Sequence, residues 1–318
     1  MTNRRIPVTA IILTYNEAMN IERCLQAMAR IEEIIIVDSC STDDTLERAR
    51  RARPDLREFA NPFKDFGDQR NWALDNTGPT HDWILFVDAD EYCTPGLLDE
   101  IAAFLDAPGE AVGAFIAGKT YFLGRWIKYS TAYPSYQLRL LRAGRVRYRK
   151  EGHGQREVTD GPLAYLRSGW IHNAFGKGLS QWIARHNQYS THEIELMMRL
   201  HTEAINWSEF FGSDAIKRRR AVKRFGVRIP LWPLTRLLYG YFWKLGLLDG
   251  HPGMIFCMLR FAHDLHIVAK FAERKYLDGE VARQDREEPR IGGAEADQST
   301  GFETRAQAIN KGSAASRP

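Results

Sequence analysis

Cysteine is scarce in this chain. Cys24, Cys40, Cys93 and Cys257 are the four in 318 residues, and no two form a Cys-x-x-Cys pair. That spacing argues against a cysteine metal site and fits reduced thiols in a cytosolic compartment. Long hydrophobic runs are missing too: no stretch reaches the roughly 18 uninterrupted apolar residues of an ordinary transmembrane helix. Met1-Thr-Asn-Arg-Arg leads into IPVTAIIL, a run too short and too soon interrupted for a secretory signal. Neither charge dominates, since 44 Lys and Arg against 40 Asp and Glu leave +4. Partners must therefore be read from where the charges sit, and no nucleic-acid partner is expected. No internal repeat is found. Large apolar residues become rare beyond Asp278, in a tail rich in Gly, Ala, Glu, Gln and Ser that is expected to be disordered. The hydrophobic fraction of 44% still suffices for a full core.

The first hundred residues alternate strand and helix. Val8 to Leu13 (VTAIIL) is apolar on both faces, as a buried parallel strand should be. Ala18 to Ala29 carries Ile21, Cys24, Leu25 and Met28 at helical spacing. Ile34 to Val37 gives a second strand that ends at Asp38. Ser41 and Asp44 are spaced as a capping box for the next helix, which Pro54 closes. Trp83 to Val87 is another strong strand. Thr94 as N-cap and Pro95 at the first position then open a helix bearing Leu97, Leu98, Ile101 and Leu105. This β-α-β-α order predicts an α/β fold with an open, mostly parallel sheet and right-handed crossovers. Residues 112 to 175 are richer in Tyr, Trp, Arg and Gly. There GRVRYRK sets Arg145, Arg147 and Arg149 against Val146 and Tyr148, a strand with one basic face. Helical periodicity runs from Leu179 to Leu200. A basic block, Lys217 to Arg228, and a charge-interrupted apolar region up to Ala272 follow. The expected organisation is a catalytic domain over 1–200, with halves 1–110 and 111–178, a helical extension over 201–277 and a tail over 278–318.

Ligands of open parallel sheets bind beyond the carboxyl ends of the strands. Three strands end there in polar groups: LTYNE (Thr14, Tyr15, Asn16, Glu17), VDS (Asp38) and VDADE (Asp88, Asp90, Glu91). Carboxylates this close disfavour one another's ionisation, so the segment needs a positive partner or a bulge into water. An Asp-x-Asp turn can direct oxygens at a hard divalent cation, Mg²⁺ or Mn²⁺, which often shares ligands with substrate phosphates. One acidic motif alone is as readily a cap or turn, and Asp43 and Asp44 are read that way. Three adjacent strand ends make a site.

The ordered set VTAIILTYNEAMNIERCLQAM, IIIVDSCSTDDTLERA, FGDQRNWAL and WILFVDADEYCTPGLLDEI resembles the inverting family 2 glycosyltransferases of the GT-A fold. The nearest group is the bacterial lipopolysaccharide-core and exopolysaccharide type, and the resemblance covers about residues 6–270. It implies a Rossmann-like nucleotide-binding half, an acceptor half and a C-terminal helical extension. It also implies a nucleotide-sugar donor, with UDP first, and a glycan or lipid-linked acceptor in cell-envelope synthesis. By the same resemblance Thr14, Tyr15 and Glu17 hold base and ribose, and Asp38 receives the base imide. Gln69 and Arg70 start the helix under the donor sugar and diphosphate. Asp90 is the direct metal ligand, Asp88 lies nearer ribose and sugar, and His172 completes the metal site. The bland alternatives are a solvated helix start for Gln69 and Arg70, and for His172 a packed ring beside Trp170 and Phe175.

Inversion needs a base for the acceptor hydroxyl. Relatives carry an acid directly after a histidine; in YRKEGHGQREV, His153 takes the histidine's place but Gly154 stands where the acid is expected. Glu157 is taken first as base and Glu151 second, against ordinary strand-edge glutamates paired with Arg149 or Arg156. Tyr121, Trp126, Tyr129, Tyr133 and Tyr136 are aromatics for stacking on a sugar, or core and rim. Lys217 to Arg228, followed by Trp232, Tyr239, Tyr241, Phe242 and Trp243, suits a segment lying on the anionic inner face of the cytoplasmic membrane. The alternative is a helical hairpin packed on the catalytic domain. Two other classes compete. A nucleotidyltransferase would normally show a Gly-rich basic loop near the first strand, which LTYNEAMN lacks. A receiver-like Mg²⁺-binding module would end near residue 120.

Overall fold

Strand β1 (Ile6–Thr14) lies inside the sheet, and only Pro7 and Leu13 of its nine residues escape full burial. Ile6, Val8, Ala10 and Ile12 face one core while Ile11 faces the other. A strand covered on both faces has no polar alternate positions, which is why the sequence there is continuously apolar. In the computed structural model the described residues are 4–151, 154–211, 215–226, 228–229 and 231–287.

The alternation continues through α1 (Ile21–Gln26), β2 (Ile31–Asp38), α2 (Thr45–Ala52), β3 (Arg57–Ala60), α3 (Phe66–Asn76), β4 (Trp83–Asp88), β5 (Glu91–Cys93) and α4 (Pro95–Asp106). Helix α1 is shorter than its apolar periodicity. Beyond Gln26 the chain tightens into i→i−3 turns, Met28 N on Leu25 O at 3.0 Å and Ala29 N on Gln26 O at 3.3 Å, which still bury Met28. The capping box expected at Ser41 does not form. Asp44 is the N-cap and makes no side-chain cap bond, and the Ser41 hydroxyl donates to Asp38 Oδ1 at 2.6 Å. The helix stops at Ala52, two residues before Pro54. At α4 the cap forms as expected, Thr94 Oγ1 accepting from Leu97 N at 3.2 Å.

The second half adds β6 (Gly113–Phe122), β7 (Arg125–Trp126), β8 (Tyr136–Arg142), β9 (Arg147–Glu151), β10 (Gly154–Val158) and β11 (Leu163–His172). The main sheet runs β3-β2-β1-β4-β8-β6-β11-β5, with β7 beside β6. Its β1, β2, β3 and β4 pairings and its β6–β11 pairing are parallel, and β8 is the antiparallel strand between β4 and β6. This mixed, mostly parallel sheet flanked by helices is the GT-A-type arrangement expected from the sequence. Helices α1, α2 and α4 cover one face; α3 and Tyr148 of the separate β9–β10 hairpin cover the other. The hairpin is clasped to α3 by Asn71, whose Nδ2 donates to Tyr148 O at 2.8 Å and whose Oδ1 accepts from Tyr148 N at 3.0 Å. Val146 and Tyr148 are buried while Arg145, Arg147 and Arg149 are exposed, as the alternation requires.

Helices α5 (Leu179–Thr202), α6 (Ser208–Phe211), α7 (Ala215–Gly226), α8 (Trp232–Leu238) and α9 (Gly250–Glu287) complete the described chain. Residues through Glu273 belong to one compact unit, and a second begins at Arg274. Buried Asp249 accepts from Tyr129 N at 3.0 Å and Ser130 N at 2.7 Å, tying the start of α9 to the middle segment. Lys270 Nζ donates to Asn187 O at 2.7 Å and to Ser190 Oγ at 2.8 Å, so α5 packs with α9. Helix α9 also continues past Asp278, where the sequence suggests that order ends; residues 288–318 of that expected tail lie outside the described residues. No helix among the described residues is long and apolar enough to cross a membrane.

Candidate active site

Strand register brings the acidic ends together. Thr14 pairs with Asp38 across β1 and β2, and Leu13 pairs with Asp88 across β1 and β4. Three carboxylates, Asp88, Asp90 and Glu91, sit at this edge, and each has a cationic or ionisable partner. Arg139 on β8 reaches two of them with one nitrogen: Nη2 donates to Asp88 Oδ2 at 2.8 Å and to Glu91 Oε1 at 2.6 Å. Arg70 donates to the other Asp88 oxygen at 3.0 Å and to Gln155 Oε1 at 2.9 Å. His172 Nε2 lies 3.4 Å from Asp90 Oδ2. The crowded charge of VDADE is therefore met by protein cations.

Burial acts on these groups in opposite net directions. It would raise the Asp88 carboxyl, but Arg139 and Arg70 outweigh it and hold Asp88 well below the usual carboxylate range. Glu91 is pushed up to about 7, by burial first and then by Asp88, against the pull of Arg139. Burial would lower His172, and its hydrogen bond with Asp90 raises it instead. Arg139 itself is 3% exposed, and its Nε and Nη1 find no hydrogen-bond partner among the described residues. The Trp170 ring supplies a cation–π contact, its centroid 5.0 Å from Cζ. Glycine at 118 leaves room for the Trp170 ring: a Cβ there would come 2.8 Å from the indole Nε1.

At the neighbouring strand ends the loops after β1 and β2 hold each other. Asp38 accepts from Thr14 Oγ1 at 2.7 Å and from Ser41 N at 2.7 Å. Asn16, in the left-handed region at φ 52°, accepts from Thr42 N at 2.8 Å. Glu17 is buried, with Asn20 Nδ2 at 2.8 Å and Lys177 Nζ at 2.5 Å, and burial raises its carboxyl against both partners. Lys177 also donates to Tyr15 O at 3.1 Å, so the segment after His172 crosses back over the first loop. Gln69 is not a solvated helix start. It is buried, accepting from Asn61 Nδ2 at 2.7 Å and donating to Ser39 Oγ at 3.1 Å. Thr14, Asp38 and Gln69 thus each bond to a neighbouring loop, and Tyr15 is the residue of this set that stands exposed.

Of the base candidates, His153 and the side chain of Glu151 lie outside the described residues. Glu157 is opposite Tyr148 in the hairpin register, two residues from the Gln155 that meets Arg70. Strand alternation puts Gln155 and Glu157 on one face.

No group of three or more His, Cys, Asp and Glu side chains suited to a metal is found among the described residues. Asp90 and His172 nevertheless present an oxygen and a nitrogen side by side. Two protein donors fit a Mg²⁺ or Mn²⁺ ion that takes its other ligands from phosphate oxygens and water. Each Asp88 oxygen already accepts from an arginine, Oδ1 from Arg70 and Oδ2 from Arg139.

Residues 9–171 match glycosyl transferase family 2. The chain belongs to that family. It is a glycosyltransferase, and the nucleotidyltransferase and receiver-like readings fall away. Among curated relatives, the lipopolysaccharide core biosynthesis glycosyltransferase LpsC of Rhizobium meliloti (strain 1021) is 28% identical over 193 residues, 59% of this chain and 70% of LpsC. The SPbeta prophage-derived glycosyltransferase SunS of Bacillus subtilis (strain 168) is 28% identical over 223 residues, 65% of this chain but 49% of SunS. A solved mannosyltransferase, PcManGT from Pyrobaculum calidifontis with GDP-Man and Mn²⁺, has a TM-score of 0.47 at 17% identity over 84% of this chain and 87% of that one.

Three residues of this transferase's site went unnoticed in the sequence. Arg139 had a signal, a single arginine inside the apolar run LRLL of β8. Lys177 and Gln155 had none beyond their closeness to His172 and Glu157.

Replacing Arg139 leaves buried Glu91 and part-buried Asp88 short of their shared cation. Arg139→Met should cost about 3–5 kcal/mol in urea unfolding, the usual loss on breaking a buried pair from one side. Arg139→Lys should fall between, since it keeps the charge and loses the planar fork. An Arg139→Met variant as stable as wild type would contradict the role given to Arg139.

Proposed function

We propose that this transferase moves a sugar, with inversion, from a nucleotide-diphosphate sugar to a hydroxyl of a glycan or lipid-linked acceptor in cell-envelope polysaccharide or lipopolysaccharide synthesis. UDP is the first nucleotide by the family resemblance. The observation that carries this reading is the division of labour at VDADE: Asp88 and Glu91 are tied to arginines, while Asp90 is left with His172. Asp90 and His172 would hold a divalent cation, which stabilises negative charge on a leaving diphosphate. Arg70 and Lys177 add positive charge on the donor side, and Asp88, fixed by two guanidinium groups, is an oriented acceptor for ribose or sugar hydroxyls. Tyr15 is available to the base. Glu157 is the base we favour for the acceptor hydroxyl, supported by the face it shares with Gln155. LpsC's name points to lipopolysaccharide core as one acceptor class.

We also place the enzyme on the inner face of the cytoplasmic membrane, for a reason that shifts from charge toward apolar surface. Part of the basic block is engaged inside the protein. Arg224 pairs with Glu203 at 2.7 Å and Glu209 at 3.1 Å, and Arg228 donates to His201 O at 2.9 Å. The side chains of Lys217, Arg219, Arg220 and Lys223 lie outside the described residues. What supports attachment is the exposed run Leu234, Leu238, Tyr239, Phe242 and Trp243, the last 78% exposed. Such aromatic and aliphatic surface suits the headgroup boundary.

Three outcomes test the proposal. Asp90→Asn should lose both transfer from a panel of nucleotide sugars and Mn²⁺-dependent UDP binding without lowering the melting temperature; full transfer at saturating Mn²⁺ would sink the metal assignment. Glu157→Gln should lower kcat by about 10²–10⁴-fold with donor affinity unchanged, and an unchanged kcat moves the base elsewhere. In vesicle sedimentation, Phe242→Ser/Trp243→Ser should release the protein from anionic vesicles, whereas retention equal to wild type would refute attachment through this surface.

A further inference from the structure

Beside the Asp90–His172 pair lies a cavity of about 420 Å³, the size of a small-ligand site. The sheet order sets it on the other side of β4 from the β1 and β2 loops. Glu91, Trp170 and His172 line it at the sheet, and Tyr129 to Ala132 form one wall. The helical extension closes it with Arg236, Lys244, Arg260 and Asp264. It therefore joins the reacting edge of the transferase to helices outside the matched family region.

Its charge is unbalanced. Three cationic side chains line it, against two carboxylates that are already used. Asp264 is buried and pairs with Arg236 at 2.9 Å. Glu91 is bound to Arg139 at 2.6 Å. Among the described residues Arg260 makes no hydrogen bond and no ion pair, and Lys244 meets only aromatic surface, its ammonium 5.7 Å from the Tyr239 ring centroid. Burial and the neighbouring Arg236 both lower the Arg260 guanidinium from its ordinary value, so its surroundings disfavour the charge. An anion placed between Arg260 and Lys244 would relieve that, through charge-assisted hydrogen bonds in a cavity with few competing acceptors.

From this geometry we infer that the cavity is the acceptor subsite and takes a phosphate-bearing acceptor, its phosphate against Arg260, Lys244 and Arg236 and its hydroxyl toward Asp90 and His172. The inference rests on the sugar-transfer reading of Asp90 and His172, because only that makes the adjoining cavity a place for an acceptor. The phosphate has two possible sources. Segment 232–244 lines the cavity and also carries the exposed Tyr239, Phe242 and Trp243, so a lipid-linked phosphate would lie with its chain along that surface. A soluble sugar phosphate would use the cavity alone.

The test is calorimetric binding to the full chain. The probes are farnesyl phosphate, glucose 6-phosphate, and their unphosphorylated counterparts farnesol and glucose. At least one phosphorylated probe should bind where its counterpart does not. Arg260→Gln and Lys244→Gln should each weaken that binding about tenfold or more, as loss of a charged hydrogen bond implies. Lys244 is exposed, so its variant keeps the test valid if Arg260→Gln does not fold. Asp90→Asn should bind the phosphorylated probe as wild type does while losing Mn²⁺-dependent UDP binding. Binding of farnesyl phosphate alone supports the lipid source, and of glucose 6-phosphate alone the soluble one. The inference is overturned if neither phosphate improves binding, if both Gln variants bind as wild type, or if binding falls with Asp90→Asn instead. Failure of the donor reading would appear separately, as wild-type protein that does not bind UDP with Mn²⁺.

Discussion

The site depends on one nitrogen. Arg139 Nη2 bridges Asp88 and Glu91, and so allows three carboxylates to share four consecutive positions at the end of a buried strand. Without it, Asp88 would keep only Arg70, and Glu91 would be a buried carboxylate with no cation. Buried charges of this kind persist when they are paired and hydrogen-bonded. The pairing also fixes orientation, because Asp88 is held from both oxygens while Asp90, two residues on, turns to His172.

The sheet explains how that arginine comes to be there. Strand β8 is antiparallel and enters between β4 and β6, so a residue from the second half of the sheet lies beside the end of β4. Strand β11 then returns parallel to β6 and ends at His172, with Asn173 N on Asp90 O at 2.9 Å. Four residues later Lys177 reaches Glu17. The loop after β1, the acid turn and strands β8 and β11 are thus linked by direct contacts.

What could be read from the sequence follows from these facts. Strands β1, β2 and β4 were legible because burial on both faces leaves continuous apolar runs, and α4 because Thr94 and Pro95 mark its start. The acid-bearing strand ends were legible because their order along the chain puts them side by side. Arg139 was hidden by the antiparallel insertion of β8, since β-α-β patterning says nothing about which later strand will sit beside β4. Gln69 and Asp38 were read as facing ligand; both are buried and also hydrogen-bond to the loops around them, contacts that residue type does not reveal. The continuation of α9 past Asp278 was missed because the reading rested on the lack of large apolar residues. Ion pairs such as Arg274 with Asp278, at 3.0 Å and four residues apart, support a helix without them. The cavity at Arg260 was invisible for the same reason as Arg139: its cations come from α8, α9 and the turn between them and meet only in space.

We propose that Arg139 and Arg70 hold Asp88 and leave Asp90 and His172 as the pair that takes a metal. Anomalous diffraction at the manganese edge, on crystals grown with UDP and Mn²⁺, tests it most directly. The account predicts one manganese peak bonded to an Asp90 carboxylate oxygen and His172 Nε2, with Asp88 still in contact with both arginines. A manganese bonded to Asp88 with Arg139 displaced, or one that leaves Asp90 and His172 without a metal contact, would contradict it.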